Sequence, residues 1–239
     1  MNVILCGYNW SGCKALDILI KRNYNVFVYT CESQYYVPDL VQLCKDRNIS
    51  YSLDKINSEN LPFLPDIICS IYYPYIIDNG VISLVNNKIF NLHPSLLPNY
   101  KGCSSLTWAM INGENEVGYT YHYINEKIDR GNIIFQKKIV LEDWDLQVNL
   151  YNRVMFEAIL EFENVFDRVI SGYVGEPQNQ LGKYYKRGCP YDGEIDELWD
   201  ENKIKRFIRA MINPPLNLAQ YKGITIKNFK EFINIRDEK

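Results

Sequence analysis

The sequence predicts an α/β protein: a doubly wound, mostly parallel sheet followed by a small C-terminal α+β extension. Three observations carry this. In the first half, short β-rich runs alternate with segments of helical periodicity, the pattern of βαβ units. One run, Asp66–Ile71, is almost continuously apolar, as in strands covered on both faces. After residue 118 the alternation gives way to two strands around a turn and then a long helical stretch.

Asn2–Cys6 reads as the first strand and Gly7–Gly12 as the loop after it. Cys13–Lys21 reads as a helix, because Ala15, Leu16, Leu19 and Ile20 fall on one face. Val26–Tyr29 is a second strand. Pro38–Asp46 is a helix with Leu40, Val41 and Leu43 apolar. Asp66–Ile71 and Lys88–His93 are further strands. Gly118–Ile124 and Asn132–Leu141 flank the turn Asn125–Gly131, where Gly131 is expected to supply a positive φ. Gln147–Ile170 reads as one long scaffold helix, with Leu150, Val154, Ala158 and Phe162 at steps of four. Gly172, Gly175 and Pro177 break it, which puts a boundary between residues 175 and 176. Beyond lie a basic aromatic turn at Gly182–Gly188, a helix at Asp200–Ile212 and a strand near Ile224–Ile226.

Composition narrows the function. The chain has 239 residues, 47% of them hydrophobic, and a formal net charge of −3. That gives no electrostatic footprint for a nucleic acid. The longest apolar stretch, Ile67–Ile77, is about half of the roughly 20 residues a membrane helix needs and contains Pro74. The N-terminus lacks the basic start and apolar run of a signal peptide. Seven scattered cysteines, none in a Cys-x-x-Cys pair, argue for reduced thiols, mostly buried, in a cytoplasmic protein with no metal site. The two histidines, His93 and His122, both fall in the most informative segment.

That segment begins Phe90-Asn91-Leu92-His93-Pro94-Ser95-Leu96-Leu97-Pro98-Asn99-Tyr100-Lys101-Gly102. Asn91 and His93 lie two apart at the end of a strand, so their side chains share a face. Pro94 and Pro98 stop the strand and stiffen the loop. Sites in open α/β sheets lie at the carboxyl ends of strands. An amide beside an imidazole there suits a carbonyl oxygen that gains negative charge. The second block runs Gly118-Tyr119-Thr120-Tyr121-His122-Tyr123-Ile124-Asn125-Glu126-Lys127-Ile128-Asp129-Arg130-Gly131. Asp129 is placed to orient a histidine or to accept a proton from a nucleophile. Taken singly, an Asn-x-His at a strand end, an Asp in a turn or a core histidine is more often structural. The joint pattern changes the weighting.

The two linked blocks, Asn-x-His-Pro-Ser-Leu-Leu-Pro-x-Tyr-Lys-Gly and Gly-x-Thr-x-His-x6-Asp-x-Gly-x-Ile, resemble the folate-dependent formyltransferase family. The resemblance spans residues 1–170 as a Rossmann-like fold and is sharpest over 90–136. It implies transfer of a formyl group from N10-formyltetrahydrofolate to an amine, without a metal. It places Asn91, His93 and Asp129 at the family's catalytic positions and His122, Thr120 and Ser95 at supporting ones. Lys101 stands where the family commonly has arginine, so the cation is kept. Under this resemblance residues 1–175 form the catalytic domain. Residues 176–239 form a subdomain for acceptor-nucleotide contacts or dimerisation.

The folate's pterin is then expected beside Tyr72, Tyr75, Asn125, Ile128 and Gly131. Core packing is an equal alternative for each of Tyr72, Tyr73 and Tyr75. The acceptor is expected against Asn9, Trp10 and Ser11 and against Lys186 and Arg187, where Lys183 and neighbouring tyrosines add charge and stacking. A solvated basic turn or a dimer contact is the alternative for the latter group. The tail after the catalytic blocks resembles that of the nucleotide-sugar branch. This implies a nucleotide-linked amino sugar, with dTDP-4-amino-4,6-dideoxyglucose preferred, as acceptor in O-antigen or other surface-polysaccharide synthesis by a homodimer. A UDP-aminopentose, methionyl-tRNA or glycinamide ribonucleotide acceptor stays open. A rival reading is an NAD-dependent oxidoreductase. Gly7-x-Asn9-x-x-Gly12 with Glu32 imitates a dinucleotide fingerprint, but Asn9 replaces the glycine that lets backbone approach a pyrophosphate.

Overall fold

The computed structural model describes residues 1–85 and 88–237. In chain order the elements are β1 (Asn2–Gly7), α1 (Asn9–Lys21), β2 (Asn25–Tyr29), α2 (Leu40–Arg47), β3 (Tyr51–Ser52), β4 (Ile67–Ile71), α3 (Asn79–Leu84) and β5 (Ile89–His93). There follow β6 (Lys101–Gly102), α4 (Ser105–Asn112), β7 (Glu116–Tyr123), β8 (Ile133–Val140), α5 (Gln147–Leu160) and α6 (Phe162–Ile170). The chain ends with β9 (Tyr184–Tyr185), a 3₁₀ turn (Pro190–Gly193), α7 (Glu201–Ala210), β10 (Ala219–Tyr221), β11 (Ile224–Ile226) and α8 (Phe229–Asp237).

The main sheet runs β3-β2-β1-β4-β5-β7-β8. β1 pairs in parallel with both β2 and β4, and β4 with β5. The doubly wound, mostly parallel expectation is met. Every residue of β4 is buried, which explains its unbroken apolar run. The chain winds outward from β1 and then returns to β4, so a switch point lies between those two strands. β5 and β7 are antiparallel, in a register that sets Asn91 opposite His122 and His93 opposite Thr120. Ile4, Cys6, Ile68, Val81 and Ile89 form the core on one side of the sheet, each large aliphatic contributing about 1.5–3 kcal/mol of burial.

Several boundaries differ from the sequence reading. α1 starts at Asn9 and absorbs most of the expected glycine loop. Gly12 donates to the Tyr8 carbonyl at 3.2 Å, and a Cβ there would meet the Gly7 backbone at 3.2 Å. Glycine thus serves close packing rather than a loop. The long helix is two: the Ala158 carbonyl accepts the Tyr121 hydroxyl at 2.8 Å and the Glu161 amide at 3.1 Å, which interrupts the i→i+4 ladder before Phe162. α2 is capped by the Asp39 side chain, which accepts from Val41 and Gln42. The expected strand near Ile224 belongs to a hairpin whose two central residues, Lys222 and Gly223, both have positive φ. Cys6, Cys44 and Cys69 are buried, three more are half-buried and Cys189 is exposed, all as free thiols. Burial pushes the Cys44 thiol up to about 12.

The chain forms two compact units, each discontinuous: residues 1–93, 120–136 and 155–180, and residues 94–119, 137–154 and 181–239. The expected split at 175/176 differs from this, because residues 176–180 belong to the first unit and the tail shares its unit with 94–119 and 137–154. In the second unit, Trp108, Tyr191, Trp199 and Phe207 pile edge to face at 4.7–6.1 Å.

Candidate active site

Within the first unit, the strand register and one turn bring four polar side chains together. β5 carries Asn91 and His93, and β7 carries His122. The β7–β8 turn returns Asp129 between the two imidazoles: Oδ2 lies 3.7 Å from His93 Nδ1 and Oδ1 lies 3.5 Å from His122 Nε2. The side chains of His93, His122 and Asp129 are only 6%, 3% and 11% exposed, so little water screens them. The two rings meet nearly edge to face, 6.4 Å between centroids.

Hydrogen bonds fix the orientation of Asn91 and His122. The Ser70 hydroxyl, on β4, donates to Asn91 Oδ1 at 2.8 Å. This turns Asn91 Nδ2 toward His122 Nε2, 3.3 Å away. Two bonds thus orient the amide, and they use only one of its two N–H groups. His122 Nδ1 lies 2.8 Å from the Tyr123 carbonyl, which only accepts, so Nδ1 carries hydrogen. As a neutral ring, His122 then accepts from Asn91 through Nε2. As an imidazolium it donates to Asp129. The arrangement holds one carboxylate between two groups able to exchange protons with it, beside an amide donor. Such a set suits attack on a carbonyl carbon, where an oxyanion forms and a nucleophile sheds a proton.

The turn corrects one expectation. The positive φ, +52°, belongs to Asp129 and not to Gly131. Gly131 is needed for a different reason: a Cβ there would sit 1.7 Å from the Tyr123 carbonyl oxygen. Asn125 Oδ1 accepts the Lys127 amide at 3.0 Å, which shapes the start of the turn, and Ile128 stands exposed on it. Gln178 closes it, with Nε2 donating to the Asp129 and Gly131 carbonyls at 3.1 and 2.8 Å.

The remaining expected residues divide. Tyr72, at φ +61° after β4, is 39% exposed and lies parallel to Tyr8 with 6.3 Å between centroids. That pair sits at the switch point, after β4 and β1 respectively. Tyr73 instead belongs to the core: its hydroxyl accepts the Ile56 amide, and burial pushes its phenol well above the usual range. Tyr75 is half-buried against Tyr73, with Lys55 Nζ 5.0 Å from its ring centroid. Asn9 opens α1 at φ +62°, its Oδ1 accepting the Trp10 amide at 2.6 Å. Ser11 is fully buried, and its hydroxyl has no hydrogen-bond partner among the described residues. Thr120 accepts from Gln136 at 2.8 Å.

In the second unit, Ser95 donates to the Asn99 carbonyl at 2.8 Å. Lys101 is 2% exposed, with Nζ donating to the Leu181 carbonyl at 2.6 Å. Lys186 and Arg187 are exposed beyond β9, and Lys183 Nζ lies 4.9 Å from the Tyr185 ring centroid. Among the described residues, no cluster of three His, Cys, Asp or Glu side chains could hold a metal ion, and no helix is long and apolar enough to cross a membrane.

Sequence reasoning missed Ser70 and Gln178. A single hydroxyl inside the apolar run Ile67-Ile68-Cys69-Ser70-Ile71 was the available signal for the first. Nothing in spacing marked the second, because its partners are backbone atoms 47 and 49 residues away.

Residues 25–162 match the family model described as formyl transferase. A GDP-perosamine N-formyltransferase of Brucella melitensis is 39% identical over 181 residues, which cover 74% of this chain and 70% of the relative. Among solved structures, the N-formyltransferase from Helicobacter canadensis, in complex with folinic acid and dTDP-3-aminofucose, aligns with a TM-score of 0.82 at 23% identity, covering 95% of this chain and 86% of that one. A 4-N formyltransferase from Francisella tularensis aligns with a TM-score of 0.79 at 20% identity, covering 95% and 97%. These structures share its fold.

Proposed function

The chain belongs to the formyl transferase family, and we propose that it transfers the formyl group of N10-formyltetrahydrofolate to the amine of a nucleotide-linked amino sugar. The observation that carries this reading is the convergence of Asn91, His93 and Asp129, drawn from two separate stretches of chain, within one buried cluster. A dinucleotide oxidoreductase or a binding module has no use for that set.

In the proposed mechanism the acceptor amine attacks the formyl carbon. The Asn91 amide and the protonated His93 ring donate to the oxyanion, each such donor contributing about 10²–10³ in kcat. Asp129 takes the amine's proton, directly or through water, and stabilises the charge on His93. The C–N10 bond then breaks, and a proton returns to N10. The donor set fits the formyl group. Tyr72 beside Tyr8 offers a flat surface for a ring, and the 125–131 turn offers backbone groups for the pterin. For the acceptor, the amide end of α1 has no acidic residue in its first turn and suits a phosphate. Asn9 and Trp10 lie there, while the burial of Ser11 argues against direct contact by its hydroxyl. Lys186 and Arg187, exposed in the second unit, are kept as proposed diphosphate contacts on the sequence resemblance.

The first acceptor to test is GDP-perosamine, given the 39% identical relative named for it. The second is dTDP-4-amino-4,6-dideoxyglucose, which the sequence resemblance favours. We place the enzyme in the cytoplasm as a homodimer supplying surface polysaccharide, and light scattering checks the dimer. The decisive experiment incubates the protein and N10-formyltetrahydrofolate with a panel of nucleotide-linked amino sugars, methionyl-tRNA and glycinamide ribonucleotide. The expected result is a gain of one formyl group on a sugar amine. Formylation of a non-sugar amine alone, or formate release without an acceptor, overturns the assignment.

A further inference from the structure

Asp129 sits in a backbone conformation that residues with a Cβ seldom adopt. Its carboxylate must nevertheless stay between two imidazoles to within a fraction of an ångström. What holds it is a strap formed by residues 173–178. The Asn132 side chain donates to the Val174 carbonyl at 2.9 Å. Ile133 and Glu176 exchange backbone hydrogen bonds at 2.7 and 2.8 Å. Gly175, at φ +71°, runs so close that a Cβ would lie 2.8 Å from the Ile133 carbonyl oxygen. The Tyr123 hydroxyl donates to the Tyr173 carbonyl at the other end of the strap. Zipped to the start of β8 in this way, the strap delivers Gln178 to the turn. There one amide nitrogen, Nε2, donates to the carbonyls on both sides of Arg130.

We propose that Gln178 is a positioning residue, whose side-chain amide clamps the 129–131 turn and thereby sets the place of the Asp129 carboxylate against His93 and His122. Chemistry limits what can do this. The clamp needs a group with two donors at the end of a side chain long enough to reach, and glutamine is uncharged, so it adds no net charge beside the carboxylate. Glutamate has the same shape but presents only acceptors to two carbonyl oxygens. The catalytic consequence rests on Asp129 acting as the proton acceptor proposed above. The positional consequence does not.

The test exploits the fact that His93 and His122 are the chain's two histidines. Selective labelling of histidine with ¹⁵N therefore reports both sides of Asp129 and nothing else. In Gln178→Ala, Gln178→Met and Gln178→Glu, both imidazole signals should move in the direction seen for Asp129→Asn, with glutamate largest and the near-isosteric methionine least disturbing to packing. With substrates, kcat should fall about 10–100-fold while KM for folate and for acceptor stays within about threefold. In the wild-type protein, the Gln178 side-chain amide protons should exchange slowly with solvent. Imidazole signals unchanged in a folded variant, or rapid exchange of that amide in the wild type, overturns the clamp. Shifted imidazoles with unchanged kcat would leave the clamp standing and remove Asp129 from the proposed chemistry.

Discussion

Two carboxylates shielded from solvent, one in each compact unit, are built to opposite specifications. Asp145 is fully buried at the start of α5 and is saturated: its oxygens take the Arg153 guanidinium at 2.5 Å, the Asn149 amide at 2.8 Å and the Glu142 backbone amide at 2.9 Å. Asp129 stands 3.5 and 3.7 Å from its two imidazoles, on a turn held by its backbone. The partners of Asp145 are a guanidinium and two amides, donors that tie the carboxylate to the surrounding chain. The partners of Asp129 can themselves gain and lose protons. A carboxylate that anchors a fold is given short bonds to fixed donors, whereas the one we propose to exchange a proton lies near titratable groups and is oriented through its main chain.

The sharpest way to break this contrast is to neutralise each acid in turn. Asp129→Asn should lower kcat by about 10²–10⁴-fold and leave unfolding by urea within about 1 kcal/mol of wild type. Asp145→Asn should do the reverse. It leaves Arg153, whose side chain is 32% exposed, facing a neutral amide and costs about 1.5–3 kcal/mol of stability, while the folded fraction keeps kcat within a few-fold. Parallel kcat measurements and urea titrations separate the two. A large stability loss at Asp129 or a large kcat loss at Asp145 would erase the distinction.

A second pair dissects the oxyanion side. Asn91→Ala removes the proposed donor and should cost about 10²–10³ in kcat. Ser70→Ala leaves the donor but frees the amide to rotate, so we expect about a tenfold loss in kcat. Equal losses would make Ser70 more than an orienting group.

How far the sequence revealed each region follows from the same contrast. The convergence of Asn91, His93, His122 and Asp129 was legible because the four stand at fixed spacing within two short blocks. The parallel sheet was legible because burial on both faces of β4 writes itself as an apolar run. Gln178 and Ser70 were not, since their partners are two backbone carbonyls 47 and 49 residues away and one side-chain amide 21 residues away, which no local spacing marks. The break between α5 and α6 was hidden for a related reason: it depends on a hydroxyl from Tyr121, on a strand distant in sequence. The two units were hidden because contiguous chain is not what they are made of. Gly131 was singled out correctly but for the wrong property, because a close approach and a positive φ demand the same residue and only coordinates tell them apart.

Gly131→Ala turns that distinction into a measurement. Alanine tolerates the backbone angles of Gly131, yet its Cβ would fall 1.7 Å from the Tyr123 oxygen, so the turn must shift and carry Asp129 with it. Activity should drop about 10²-fold with a stability loss of about 1–3 kcal/mol. A loss in stability alone would place the tolerance of the turn elsewhere.

The smallest effect sharpens the Asp145 side. Asn149 donates to Asp145 Oδ1 at 2.8 Å and accepts the Leu146 amide at 2.7 Å. Asn149→Ala therefore removes one partner from a carboxylate that keeps its guanidinium and its backbone donor. The expected cost is about 1–2 kcal/mol in a urea titration, with no change in kcat. Gln178→Ala also removes one side-chain amide from the surroundings of an aspartate, but there the bonds run to the main chain and the expected loss is in turnover. The same chemical deletion, made once at each acid, thus asks whether a missing hydrogen bond is felt in folding or in catalysis. The expectation differs for the two because Asn149 donates to the carboxylate of Asp145 itself, whereas Gln178 donates to the main chain that carries Asp129.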